Sequence, residues 1–234
     1  MNPGLFFREV LESHEFRSSD KEDVAPACSP AISAVRGPRT RAALQAAGLD
    51  CPEIYGDCAS LLPLVFRPEA VLTHRTGLVC LRSEVPAGAI DPEIRLIEPV
   101  AFDAAGIEAF IRALCGCSRI IATSLYGMAI ALAYGIPCAW AETAKRPSGR
   151  FQIRDHLAAL GLETVAAPLD LRQARLSDDS LPAELFLQPR HRPALGPLLA
   201  AAPFAVLPSV LAAAQQRDLA LAETGPAAGQ GAAG

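Results

Sequence analysis

CSRIIATSLYGMAIALAYGIPCAW, residues 117–140, decides the fold. The β-branched run at 119–123 reads as a strand, Ser124-Leu125-Tyr126-Gly127 as a tight turn, and the apolar helix formers that follow as a helix reaching Tyr134. Gly135 and Pro137 stop that helix before a second apolar strand. This is a βαβ unit. The turn after the first strand of such a unit lies at the carboxyl edge of the sheet, where free amides at the helix start favour an anion. Function is therefore sought at residues 123–128.

Working outward, residues 31–35 read as a strand ended by Arg36-Gly37-Pro38, with Pro38 suited to the first turn of a helix that runs to Gly48. Residues 53–55 form the next short strand, which makes a second βαβ unit with Arg36 at its carboxyl edge. Apolar strands are predicted at 75–81 and 94–97, separated by a Pro-Gly loop at 86–88. Asp103 caps a helix whose Ile107, Phe110, Ile111 and Leu114 recur as a buried stripe. A turn at 146–149, a helix over 151–160 closed by Gly161 and a strand at 164–166 complete the alternation. The fold class is α/β, a parallel sheet with helices on both faces. Residues 5–14 read as a helix, 18–23 as a solvated linker, and 225–234, GPAAGQGAAG, as a disordered tail.

The chain of 234 residues is 51% apolar, enough for a sizeable core. A net charge of −4 and a pI of 5.6, with dispersed Lys and Arg, argue against a DNA or RNA partner. The uncharged stretches 120–141 and 193–216 have membrane-helix length. The first reads instead as the buried βαβ unit, and the second, broken by Pro197, Pro203 and Pro208, as two short packed helices. The amino-terminal residues lack a signal peptide's apolar region, so the expectation is a cytoplasmic protein. Seven cysteines without a C-x-x-C pair read as small core residues, and no ligand cluster implies a metal.

Thr123-Ser124-Leu125-Tyr126-Gly127 with Ala133-Tyr134-Gly135-Ile136-Pro137, and separately Val35-Arg36-Gly37-Pro38-Arg39-Thr40 with Gly56-Asp57-Cys58-Ala59, resemble the polysaccharide pyruvyl transferases. The resemblance covers roughly residues 32–165. It implies a glycosyltransferase-B-like architecture of two Rossmann-like lobes, with residues 1–31 an extension, 32–66 the remnant of a largely missing first lobe, 67–223 the second lobe with carboxyl-terminal helices, and 224–234 a tail. A start upstream, truncation and decay each account for the short first lobe, and a truncated lobe would expose apolar surface and self-associate. The implied reaction moves the enolpyruvyl carbons of phosphoenolpyruvate onto two hydroxyls of a sugar, as a ketal, in cell-surface polysaccharide synthesis. The acceptor would be a saccharide, lipid-linked or free, with the enzyme cytoplasmic or peripheral at the inner membrane; the donor is a substrate and no cofactor is implied.

Residue by residue, the resemblance puts Tyr126 at the family's catalytic histidine. A phenol of pKa about 10 is a poor base but a usable hydrogen-bond donor or acid; the alternative is a Tyr packed on a lobe interface. Arg36 has the planar fork that suits a carboxylate or phosphate, against a plain surface salt bridge. Ser124 and the amides of Leu125, Tyr126, Gly127 and Met128 would cradle phosphate, a role compatible with Ser124 capping the helix. Asp57 would accept from a sugar hydroxyl across the cleft, or simply cap a turn. A second family histidine falls near Leu81, with His74 a poor substitute. Asp155 matches a further family position whose next residue is aromatic, and His156 there reads as solvated. Two other readings compete: a non-catalytic anion-binding lobe, and a nucleotide-sugar glycosyltransferase, which needs a ribose-holding glutamate where this chain has Ile130.

Overall fold

The structure, a computed structural model, describes residues 31–69, 71–85, 90–100, 103–143, 150–162, 168–171, 176–189 and 191–224. The chain divides into two units, Met1–Ala31 and Ile32–Gly234, and every element described below lies in the second. The readings of a helix at 5–14, a linker at 18–23, a loop at 86–88, a turn at 146–149, a strand at 164–166 and a tail at 225–234 fall outside the described residues.

Five parallel strands, β1 (His74–Val79), β2 (Arg95–Ile97), β3 (Cys117–Ala122), β4 (Cys138–Glu142) and β5 (Leu169–Asp170), form one sheet in the order β2-β1-β3-β4-β5. This is a doubly wound order, and its direction of winding reverses between β1 and β3. The central pairing aligns Gly77 with Ile120 and Val79 with Ala122. The apolar runs Gly77–Val79 and Ile120–Ala122 are buried, as suits strands that are covered on both faces.

The crossovers carry α3 (Ala104–Cys115), α4 (Leu125–Ala133) and α5 (Arg150–Ala159) over one face of the sheet. There Val79, Ile120, Ala122 and Trp140 meet Leu114, Met128, Leu132, Ile153 and Leu157 in the main core. The intervening strand residues Leu78, Ile121, Ala139 and Ala141 point the other way, onto Ile94, Leu171, Leu176 and Leu181. Among the described residues that second face is covered by irregular chain and short 3-10 turns, which corrects the expectation of helices on both faces. Asp103 caps α3 by accepting from Gly106 N at 2.7 Å, as its position predicted. Of the stripe on α3, Ile111 and Leu114 are buried, whereas Ile107 is 45% exposed because it sits in the first turn, beyond the sheet edge's cover.

Gly135 shows why α4 ends where it does. Its φ of +77° is left-handed, a conformation that glycine adopts without a Cβ penalty, and it lets Ile136 N return to Ala131 O.

Outside the helices lies a third layer. Val35 and Tyr55 form a single parallel bridge, all that remains of the expected strands at 31–35 and 53–55, joined by α1 (Pro38–Ala46). A 3-10 turn (Cys58–Leu61) and α2 (Leu62–Val65) follow and pack on α4, while α1 packs on α5. Then α6 (Leu195–Ala200) and α7 (Pro208–Thr224) close over Leu61 and Leu64 through Leu195, Leu199 and Ala214. The uncharged stretch 193–216 is thus α6, a turn and the start of α7, and no described helix is long and apolar enough to cross a membrane.

One buried charge group pins the irregular face to the sheet. Arg119 of β3 donates from Nε to Thr76 Oγ1 at 2.7 Å and from Nη2 to Asp178 Oδ1 at 3.0 Å and Asp178 O at 2.9 Å, with its guanidinium 4.3 Å from the centre of the Phe186 ring. Thr76 also donates to Asp178 Oδ1. Removing one partner of a buried pair leaves a bare charge, a loss of about 3–5 kcal/mol, whereas replacing both by apolar residues is far milder. Arg119→Ala is therefore expected to unfold at much lower urea, and Arg119→Met with Asp178→Leu to recover most of the loss; equal losses in both would mean that the pair is not the anchor.

Candidate functional site

In an open doubly wound sheet the crevice for a ligand opens beyond the carboxyl ends of the strands that flank the reversal point. Here those ends are Val79-Cys80-Leu81 of β1 and Ala122-Thr123-Ser124 of β3. They are tied together: Thr123 donates to Val79 O from its amide at 3.1 Å and from its hydroxyl at 3.2 Å. The stretch 123–128 chosen from sequence thus stands at the topological position where this class of sheet binds ligands.

α4 starts at this crevice. Ser124 has extended backbone and its Oγ accepts from Gly127 N at 3.2 Å, an N-cap, while Met128 N reaches Ser124 O at 3.2 Å. The amides of Leu125 and Tyr126 have no acceptor among the described residues and carry the positive end of the helix dipole. Gly127 is required by crowding: a Cβ there would lie 2.7 Å from Val79 Cγ1. That close approach brings the helix start onto β1, and with it the two open amides. Leu125 is buried, whereas Tyr126 is 60% exposed, so its phenol is presented to solvent and is not packed on another layer. Ile130 is half-buried against the main core.

Arg82, in the 3-10 turn Arg82–Glu84 just beyond β1, is a residue that the sequence reading did not single out. It is exposed at the carboxyl edge of the sheet, and its guanidinium has no partner among the described residues, although its backbone amide donates at 2.9 Å to Oε1 of Glu98, which follows β2. Glu84 and Glu98 stand close enough for their charge to raise the Cys80 thiol, after burial, while Arg82 opposes them. The signal for it was only a cation following a strand, which a pattern search does not distinguish from a surface arginine.

Arg36 and Asp57 come together elsewhere, in the third layer. Arg36 Nε donates to Asp57 Oδ2 at 2.7 Å, and Asp57 Oδ1 accepts from Ala59 N at 2.9 Å, capping the 3-10 turn. Asp57 is 5% exposed, so it caps a turn in a packed layer and does not front an open cleft. Burial favours its neutral acid, but the Arg36 charge and the hydrogen bonds from Arg36 and Ala59 outweigh that and hold its pKa below the usual carboxylate range. Cys58 reaches the surface, yet the surrounding protein and the Asp57 carboxylate push its thiol up to about 11, which makes it a poor nucleophile.

His156 corrects another expectation. It is 3% exposed instead of solvated, because the layer carrying Arg36 and Asp57 covers α5. Its Nε2 has no hydrogen-bond partner among the described residues. Burial and the Arg36 charge push its pKa below the ordinary value, with Asp57 and Asp155 pulling the other way. His74 stands at the opposite end of β1 from the crevice, bonded to Thr73 Oγ1, and Leu81 occupies the position at the carboxyl end. Among the described residues no group of three or more His, Cys, Asp or Glu side chains could hold a metal ion, and the six described cysteines are unpaired thiols.

The chain matches no family model, no curated protein and no solved structure. Its chemistry is accordingly read from its own geometry: two open amides, a capping serine and an exposed phenol around the crevice, an unpaired guanidinium along the same carboxyl edge after β1, and a separate internal ion pair one layer away.

A histidine whose folded pKa is depressed contributes stability that is complete above its unfolded value, near 6.5, and is lost as pH falls through the folded value. The protein is therefore expected to weaken in urea between pH 7.5 and 5.5, and His156→Phe to remove most of that slope. Asp57, also depressed, acts in a separate window below about pH 4. An unchanged slope in His156→Phe would show that the buried imidazole is not the group responsible.

Proposed function

We propose that the chain binds phosphoenolpyruvate at the crevice between β1 and β3 and is a homologue of the polysaccharide pyruvyl transferases. The observation that carries this reading is the coincidence of the Thr123–Gly127 motif with the reversal point of the sheet, where open amides at the α4 start face an incoming anion. In this reading Ser124 and the amides of Leu125 and Tyr126 hold the phosphate, Gly127 allows the approach, and Arg82 adds positive charge. Arg36 supplies the second anion contact. Only its Nε is engaged among the described residues and its side chain keeps 16% exposure, so its outer nitrogens remain for a carboxylate. Asp57 then acts by holding that guanidinium in place.

The reaction class is ketal formation: one sugar hydroxyl adds to the central carbon of the enolpyruvyl group as its methylene takes a proton, and the second hydroxyl displaces phosphate from that carbon, its proton leaving with the phosphate. Tyr126 is the exposed proton-bearing side chain on the α4 start and is assigned the proton that the methylene takes. In a glycosyltransferase-B-like arrangement the third layer would represent the first lobe and the sheet the second.

A second reading, an anion-binding lobe without turnover, is favoured by one observation. Apart from Tyr126 in place of a histidine, the near-neutral group of this region is His156, and it is buried behind Asp57 with a lowered pKa. A nucleotide-sugar transferase is the least supported, since apolar Ile130 cannot accept ribose hydroxyls.

The test is thermal unfolding with phosphoenolpyruvate, phosphate, pyruvate and a nucleotide sugar, on the wild type, Tyr126→Glu and the joint Arg36→Gln, Asp57→Asn variant. Ligand at about 100 Kd adds about 2.7 kcal/mol. The wild type is expected to shift with phosphoenolpyruvate most. Tyr126→Glu should fold at least as well, since an acidic residue suits a helix start, but lose the shift by repelling the anion. The joint variant removes the charge without stranding a buried carboxylate and should also lose it. Turnover gained in Tyr126→His would favour the transferase over the silent lobe; no shift with any ligand in a folded sample would remove both readings.

A further inference from the structure

α2 and α7 leave between them a groove of about 460 Å³, away from the crevice, lined by Leu64, Val65, Phe66, Arg67, Gln216 and Arg217 together with Pro63 and Ala213. Its polar lining is two guanidinium groups and one amide, its floor is aliphatic and aromatic, and no carboxylate of the described residues lines it. We propose that this groove binds an anionic lipid at a membrane surface, with the phosphate headgroup between Arg67 and Arg217 and the first methylenes of the tail along Leu64, Val65 and Phe66.

The charge balance there is unusual for an acidic chain. Arg67 holds only Pro63 O, from Nε at 2.8 Å, so its outer nitrogens are unpaired among the described residues. Arg217 donates from Nη1 to Pro193 O at 3.2 Å and to Asp218 Oδ1 at 3.1 Å. Asp218, the nearby carboxylate, is shared: its oxygens also accept from Leu195 N at 3.0 Å and Gly196 N at 2.7 Å, capping α6. It therefore neutralises Arg217 incompletely. Arg192 lies over the end of α4, its Nη2 3.2 Å from where a Cβ on Gly135 would be, and adds a third positive charge. Partial burial, and then the fields of Arg192 and Arg67, disfavour the charged form of Arg217 against Asp218. Guanidinium groups held together in partial burial gain most from an anion with several acceptor oxygens, which phosphate offers to planar forks.

The apolar side of the groove selects the rest of the ligand. Val65 is 62% exposed there, and a free phosphate would leave it in water, whereas a lipid tail covers it. An acidic peptide is a poorer fit. The walls are helical, Phe66 N returns to Leu62 O, and Phe66 O accepts from the Tyr134 hydroxyl at 2.7 Å, so the groove offers no open ladder for an extended chain. The Tyr134 bond, and Arg112 set 4.9 Å from the Phe66 ring centre, fix Phe66 in the floor from behind.

The experiment is sedimentation of the full chain with vesicles of phosphatidylcholine alone and with about one third phosphatidic acid or phosphatidylglycerol, at low and high salt. Each basic residue near an anionic surface is worth roughly 1 kcal/mol, so reversing one charge at Arg67→Glu is expected to weaken binding at least about tenfold. Arg67 is exposed and anchors nothing but its own turn, so this variant should fold normally. Tyr126→Glu, at the separate crevice, should bind vesicles as the wild type does. Millimolar inorganic phosphate should not compete. No binding to anionic vesicles, binding that survives Arg67→Glu, or displacement by phosphate would each overturn the proposal, the last by showing a small-anion site instead.

Discussion

A buried carboxylate decides how the outer layer meets the sheet. Asp155, 1% exposed in the middle of α5, accepts from Arg39 N at 2.7 Å and Thr40 N at 3.1 Å through Oδ1 and from Thr40 Oγ1 at 2.5 Å through Oδ2. It thereby caps α1 from another element, a task that Gly37, which has no side chain, cannot perform. Gly37 is needed for the same reason: a Cβ on it would fall 2.2 Å from Asp155 O. Three donors from two adjacent residues offset the desolvation of the charge, and the geometry tolerates no slippage of α1 along α5. The positions of Arg36 at the start of that turn, and of Asp57 beyond the bridge at Tyr55, follow from it.

This docking has an electrostatic consequence. With α1 held on α5, the Arg36 and Asp57 pair and His156 share one neighbourhood: the Arg36 charge bears on both Asp57 and His156, and those two bear on each other. The positive charge of Arg36 is largely answered by Asp57. The field that an anion meets at the crevice is then set by the α4 amides and Arg82, against Glu84 and Glu98. A helix start contributes only about half an elementary charge. On the proposed reading, selectivity for a dianion at this site would come from the directed amides and the Ser124 hydroxyl more than from net attraction, and binding there would be less sensitive to salt than at the proposed arginine groove between α2 and α7.

The unit from Cys117 to Glu142 was legible in the sequence because every local signal agreed: β-branched strand, Ser at the cap, Gly at the left-handed stop, Pro after it. Pro38 and Asp103 were legible for the same reason. The sheet order was not, since sequence spacing says that strands alternate with helices but not on which side of β1 the next strand is added. Nor were the anchors. Arg119 and Asp178 are 59 residues apart, and Asp178 lies in a stretch with no apolar period, so nothing local announces that this chain covers a sheet face. His156 was misread for a related reason: α5 faces the sheet on one side and a further layer on another, which leaves exposed only its first residues and Arg154, whereas a two-layer expectation turns the His156 side to solvent. At 53–55 and 31–35 the strand patterns were present, but with no neighbouring strand to extend the ladder only the Val35 to Tyr55 bridge forms.

The layering also bears on where, in the proposed reading, a second substrate would approach. The 3-10 turn at Cys58–Leu61 packs directly on α4, and α6 and α7 close over that turn, so this flank of α4 is covered by protein. Tyr126, one residue into the helix and well exposed, marks the flank that is open. A sugar meeting a donor held at the α4 start would therefore come in along the carboxyl edge beside Tyr126 and the turn that carries Arg82. The same constraint explains why a phenol can occupy this position without harm to the fold. Its ring makes no part of the core, so its identity is free to be set by chemistry at the crevice, whereas Ser124 and Gly127 are fixed by the cap and by Val79 whatever the ligand.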